Sequence, residues 1–158
     1  MVAAWLALTW DAHVTNFQVR WMCDEDRPFV LLRRAGVEAL AIPDEILGRD
    51  ARALPAYAEA YPMVGAASTP EGRGAPYALV ELWPKRVRSY WGYGVLRTEL
   101  SVVERVPSTR VLGTSSLYRR VPLESETWGA WRERLSPPPE SCTATDRIEF
   151  VKRVLKPA

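Results

Sequence analysis

The sequence predicts an α+β fold. An amino-terminal helix packs on, or leads into, an antiparallel sheet with a long hairpin over about 96–121, and a short helix follows near the carboxy terminus. Three observations carry this. Apolar residues recur at three- and four-residue steps through the first 22 residues. Period-two alternation takes over from Leu96 to Val102. Ser125 then opens a second helical pattern in which Trp128, Trp131 and Leu135 share a face. Strand, glycine-rich turn and helix never follow one another as a dinucleotide or phosphate loop requires, so a doubly wound fold is excluded and no cofactor is expected.

The first ten residues are apolar except for Thr9. Leu6, Trp10, His13 or Val14, Phe17 and Trp21 continue the helical step, which predicts a helix over 3–22 with an aromatic stripe. The apolar run is about half of what a membrane span needs. No basic stretch precedes it, as a signal peptide would require. Trp5 and Trp10 flank the end of the run, where indoles sit at a membrane interface. Two readings follow: the stripe packs on the domain's own sheet, or the helix is the outer end of a membrane anchor or docks in a larger assembly.

Asp24-Glu25-Asp26-Arg27-Pro28 predicts a turn, after which Phe29 to Arg33 reads as a strand and Val37 to Ile42 continues or pairs with it across Gly36. Pro43-Asp44-Glu45 opens a short helix through Leu47, and a second turn near Ala51 to Leu54 is cut by Pro55. Gly65, Ser68, Thr69, Pro70, Gly72 and Gly74 predict an irregular loop over 62–76. Tyr77 to Trp83 and Val87 to Tyr90 read as strands, with a bulge or bend at Trp91-Gly92-Tyr93-Gly94. Leu96, Thr98, Leu100 and Val102 share one face of the next strand, and Arg97, Glu99 and Ser101 the other. A turn over 106–110 and a returning strand from Val111 to Val121 complete the hairpin. Ser136-Pro137-Pro138-Pro139 stops the second helix. The stretch from Asp146 to Leu155 reads either as a helix on Ile148, Val151 and Leu155 or as a closing strand from Phe150.

A chain of 158 residues suits one ordinary domain, read as a helix over 1–22 followed by a single domain over 23–158. Its 47% hydrophobic and 25% charged residues are those of a globular protein, and a net charge of +2 offers no field that singles out nucleic acid as partner. Lys85, Arg86 and Arg88, interleaved with Tyr90, Trp91 and Tyr93, have the outline of a single-strand binding platform, but the charge balance speaks against it. With one histidine, His13, and two cysteines, a zinc site built from His and Cys is excluded within one chain. Cys23 lies ten residues, about 15 Å of helix, from His13, too far for a thiolate pair. Asp24, Glu25 and Asp26 lack the alternating ligands of a calcium loop, so no metal is expected. Glu81, Glu99 and Glu104 lie on or near strands, yet nothing selects a catalytic pair among them. No catalytic residue is assigned, and the expectation is a protein that is not an enzyme.

Cys23 and Cys142 both sit at element ends, 119 residues apart. In an oxidising compartment a disulfide between them would close nearly the whole chain into one loop. In a reducing one they would be two buried thiols. A wider pattern joins several of these features: a hydrophobic amino-terminal segment ending in Trp10 and His13, Cys23 beside Asp24 and then a strand, a tyrosine-rich middle, the Arg97 to Tyr118 hairpin with Leu112-Gly113, and Ser141-Cys142 near the end. This resembles a loose group of small uncharacterised bacterial envelope proteins with an amino-terminal anchor and a cysteine pair bracketing one domain. Those proteins more often carry glycine after the acidic residue, where this chain has Glu25-Asp26-Arg27-Pro28. The resemblance brings no functional residues with it.

Seven Trp and six Tyr are more aromatic surface than a core of this size needs, and both residues anchor interfaces. The expected function is therefore a non-enzymatic extracytoplasmic accessory or structural subunit, periplasmic and membrane-associated, that binds another protein. The expected contacts are Trp5, Leu6, Trp10, Phe17, Trp91 and Tyr93, together with the 63–76 loop. One rival is a small enzyme or ligand-binding protein with a pocket between sheet and helix lined by Trp83, Tyr90 or Trp128. Another is a cytosolic partner-binding or inhibitory protein with reduced thiols.

Overall fold

The computed structural model describes residues 2–49, 53–90, 92–123, 133–143 and 146–158. The fold is α+β. Its described helices are α1 (Val2–Glu25), α2 (Asp44–Arg49), α3 (Ala53–Ala58), α4 (Pro70–Gly74) and α5 (Arg147–Val154). The first five strands are β1 (Phe29–Val30), β2 (Arg34–Val37), β3 (Ala39–Ile42), β4 (Met63–Ala66) and β5 (Tyr77–Glu81). The next five are β6 (Lys85–Tyr90), β7 (Tyr93–Glu104), β8 (Arg110–Pro122), β9 (Ser141–Thr143) and β10 (Leu155–Pro157). The order in the main sheet is β1-β8-β7-β5-β3-β4, with β6 also pairing β7 and β9 also pairing β8; β10 and β2 form a separate two-stranded sheet. Strands β7 and β8 are the predicted long hairpin, and their short connection makes them antiparallel.

The chain divides into two compact units, the first from residues 1–27, 83–98 and 116–144, the second from 28–82, 99–115 and 145–158. In this division α1 falls with β6, β9 and parts of β7 and β8.

In the second unit the sheet is mixed rather than purely antiparallel. β3 runs parallel to β4 in the register Ala39↔Met63 to Ile42↔Ala66, and parallel to β5 at Ala41↔Ala78, while β5 is antiparallel to β7. Helices α2 and α3 supply the crossover that parallel pairing needs. Pro55 does not cut this segment, because it falls in the first turn of α3, where a backbone N–H has no intrahelical partner anyway. One side of the sheet packs Leu40, Ile42, Leu79, Leu100 and Val102 with Ile46, Tyr57, Tyr61, Phe150, Val151 and Val154 from elsewhere in the unit; alanines 41, 75 and 78 meet Val103 in a separate small cluster.

The irregular loop expected over 62–76 is instead β4 followed by α4. Thr69 caps α4, its hydroxyl accepting from Gly72 N at 3.2 Å, and a Cβ on Gly72 would lie 1.9 Å from the Ala66 carbonyl oxygen. Two of the glycines that read as loop, Gly65 and Gly72, are there for close approach of helix to strand. Of the two readings of the tail the helix holds, while the strand expected from Phe150 to Leu155 begins only at Leu155. Asp146 caps α5 by accepting from Ile148 N and Glu149 N at 2.9 and 3.1 Å, and β10 then pairs in parallel with β2. The turn expected at 24–28 starts later, since α1 runs through Glu25. The expected strand from Phe29 shrinks to the two residues of β1, and β2 begins at Arg34. The helix expected from Ser125, with Trp128 and Trp131, falls largely on residues 124–132, outside the described residues; 133–135 are helical.

Candidate partner-docking surface

Helix α1 turns once every 3.6 residues, so positions seven and eleven beyond Trp10 come round to the same side. That side carries Trp10, Phe17 and Trp21, exposed by 43%, 65% and 45%. The other side carries Thr9, Asp11, Ala12, Thr15, Val19 and Cys23, all buried. The helix is thus turned against its own aromatic pattern. At these three positions the stripe does not pack on the protein's own sheet, as the first of the two sequence readings required.

Polar contacts and one covalent bond fix that orientation. The Asp11 carboxylate accepts from Ala12 N at 2.9 Å and from Gly92 N at 3.3 Å, and the Thr15 hydroxyl donates to Asp11 O at 2.6 Å. Asn16 clasps the stretch 138–140, its amide donating to Pro138 O at 3.0 Å and its oxygen accepting from Glu140 N at 3.2 Å. Arg20 Nε donates to Glu140 Oε1 at 2.6 Å, and this hydrogen bond holds the Glu140 carboxyl below its ordinary pKa. Further along, Cys23 and Cys142 are joined by a disulfide with their Cα atoms 6.2 Å apart, in a small apolar cluster with Val19, Val95 and Tyr118. A disulfide is compatible with an extracytoplasmic location.

Next to this face lies a buried cation. Arg120, 3% exposed, donates to Ala12 O at 3.3 Å, to Pro137 O at 2.8 Å and to Glu133 Oε1 at 2.9 Å. Its guanidinium stands 4.5 Å from the centre of the Tyr93 ring, and the Tyr93 hydroxyl meets Ser136 Oγ at 2.8 Å. Burial pushes the Tyr93 phenol upward. These groups bond to the chain around them and clasp the 136–138 stretch to α1.

The expected contact residues divide accordingly. Trp10 and Phe17 are on the surface. Trp5 and Leu6 belong to α1, but their side chains lie outside the described set, as does Trp91 altogether. Tyr93 turns inward and is 2% exposed, because Arg120 covers its ring. Of the residues expected to line a pocket, Trp83 is 90% exposed, while the Tyr90 side chain and Trp128 lie outside the described residues. The expected 63–76 contact is β4 and α4, with Met63 exposed.

Two of the three carboxylates that could have converged, Glu81 and Glu104, are separated and paired. Glu104 is held by Arg34 through two hydrogen bonds of 3.0 and 2.8 Å, which lower its pKa, and Glu81 pairs with Arg49. Tyr77 lies opposite Glu104 and Leu100 opposite Glu81, so the two acids are four strand positions apart, about 13 Å. Among the described residues no three His, Cys, Asp or Glu side chains group as metal ligands, and no helix is long and apolar enough to cross a membrane.

No protein-family model matches the chain, and no curated protein matches it. Among solved structures it is similar to the dodecamer of a PelC point variant from Paraburkholderia phytofirmans, at 15% identity over 68% of this chain and 89% of that one, with a TM-score of 0.38.

Proposed function

We propose that the protein is a non-enzymatic extracytoplasmic accessory or structural subunit, working in the periplasm within a membrane-associated assembly, and that it binds another protein through the outward stripe of α1. The observation that carries this reading is the exposure of Trp10, Phe17 and Trp21 on one side of a helix whose opposite side buries Thr9, Asp11 and Thr15. Three large aromatics spread over eleven residues, about 16 Å of helix, are hot-spot material for a protein groove. The charges around them favour a protein over an anionic bilayer. The exposed end of α1 carries Asp24 and Glu25, its last turn has no basic residue, and Arg20 is already paired with Glu140. Lipid-lying helices instead line their polar face with Lys and Arg.

The test is purification from the native source of wild type and of the triple variant Trp10→Ala, Phe17→Ala, Trp21→Ala, with photo-crosslinking from position 17. The wild type should crosslink to one defined protein and carry oxidised cysteines by mass. The variant should lose that partner by about tenfold or more in affinity while keeping its cooperative unfolding. A variant that retains the partner overturns the reading. So does a wild type that crosslinks to nothing and instead pellets with protein-free vesicles.

A further inference from the structure

The second unit holds as many acidic as basic residues, eleven of each. Five of its cations nevertheless face one open cleft of about 270 Å³, lined by Arg33, Arg34, Ala35, Lys152, Arg153 and Lys156. Three elements build it. Arg33 and Arg34 stand at the start of β2, Lys152 and Arg153 in the last turn of α5, and Lys156 in β10. Parallel pairing of β10 with β2, with Leu155 opposite Arg34, draws these positions together.

Two of the five charges are answered from within. Arg34 is bonded to Glu104 through both Nε and Nη2, and Arg153 pairs with Glu149 one turn earlier on α5. Among the described residues Arg33, Lys152 and Lys156 have no such carboxylate. Like charges gathered in a concavity repel one another, and a unit with balanced acids could have interspersed them. Ala35, with its single methyl, leaves the cleft open between them.

We infer that this cleft binds a phosphate group, carried by a small soluble ligand or by a lipid headgroup. Three unanswered cations suit a group bearing up to two negative charges and several acceptor oxygens better than they suit a single carboxylate. Arg33 offers a planar fork to two of those oxygens, and the two lysines act as point charges on the others. The volume fits one such group rather than a length of polymer. The inference is independent of the α1 stripe, which belongs to the other unit.

Full-length oxidised protein is titrated with pyrophosphate at low and high salt, and floated with phosphatidylcholine vesicles with or without phosphatidic acid. The same is done for the variant Arg33→Gln, Lys152→Gln, Lys156→Gln. Pyrophosphate should raise the unfolding temperature of the wild type, with affinity falling steeply with salt. The variant should bind at least about tenfold more weakly. Without ligand it should unfold no earlier than wild type, because its loss is of repulsion rather than of packing. Flotation with phosphatidic acid that the variant loses assigns a lipid headgroup, and binding confined to pyrophosphate assigns a soluble ligand. The inference is overturned if the wild type binds neither, if the variant binds as tightly, or if only an acidic peptide such as polyglutamate binds.

Discussion

The two units are stabilised by different means. The second has a core of fifteen buried apolar residues running from Val37 to Leu155, and burying each large one is worth roughly 1.5–3 kcal/mol. Among the described residues the first unit's apolar cluster has four, Val19, Cys23, Val95 and Tyr118, with Ala12 and Tyr93 also buried, and Thr9, Asp11, Thr15 and Arg120 are buried in the same unit. Where the apolar cluster is small, order has to come from a cross-link and from hydrogen-bonded polar groups. Such a unit can spend its aromatic residues on its surface. It is also exposed to an agent that leaves an apolar core untouched, namely reductant. All seven tryptophans fall in the first unit, so tryptophan fluorescence reports on it alone.

The largest effect should come from the disulfide. Reduction, or Cys23→Ala with Cys142→Ala, releases a loop of 119 residues. In the chain-entropy model this costs about 5 kcal/mol, a large share of the roughly 5–15 kcal/mol a domain has to spare. The loss should be local. Tryptophan emission should shift to the red and amide protection should fall in α1 and β9, while β3, β4 and β5 keep theirs, since their packing involves neither cysteine. Uniform loss of protection across both units would break the comparison.

Next comes the buried cation. Arg120→Met keeps the length and most of the volume of the side chain but removes the side-chain donor to Ala12 O, Pro137 O and Glu133. We expect a loss of about 3 kcal/mol, read by tryptophan fluorescence in urea, with the stretch 136–140 released from α1. Glu133→Gln should cost less, because its side chain is 32% exposed against 0% for Arg120 and water can replace part of what is lost. Equal costs for the two would mean that the ion pair, rather than the carbonyl clasp, matters.

The same contrast explains what was legible in the sequence. The hairpin of β7 and β8 could be read because period-two alternation is a local signal, and so could α1, whose apolar residues recur at helical steps. The orientation of α1 could not, because the larger side chains define the stripe. What turns it outward is distant: Gly92, Pro138, Glu140 and Cys142 hold the polar side in. Strand β3 was legible within Val37 to Ile42, but β4 and the parallel pairing of the two were not, because that pairing spans α2 and α3 and because Gly65 and Gly72 signal a loop unless the neighbouring backbone is known. The cysteine pair was legible as a candidate from element ends alone. The basic cleft was not, since Arg33 and Lys156 are 123 residues apart and meet only through the β2–β10 pairing. A Tyr93 that faced solvent would have needed Arg120 elsewhere, and no spacing rule links those two residues.

The smallest effect sharpens the comparison through pH. Tyr118 donates to Asp26 Oδ2 at 2.7 Å, and burial, then this hydrogen bond, pushes its phenol up to about 12. An unfolded tyrosine ionises near 10. A raised folded pKa means that the protonated phenol contributes its stability in full below about pH 10, and loses it as pH climbs through 12. The first unit should therefore weaken over that window. Tyr118→Phe removes the hydrogen bond, costing about 1.5 kcal/mol near neutral pH, and should flatten the alkaline decline seen by tryptophan fluorescence. The second unit has its own buried phenol, Tyr61, which donates to Leu155 O at 2.6 Å and is likewise pushed upward by burial. Its alkaline transition, followed by circular dichroism, should persist in the Tyr118→Phe protein. If that single change flattened both transitions, the two units would be unfolding as one, and the contrast between a stapled unit and a packed one would have no thermodynamic meaning.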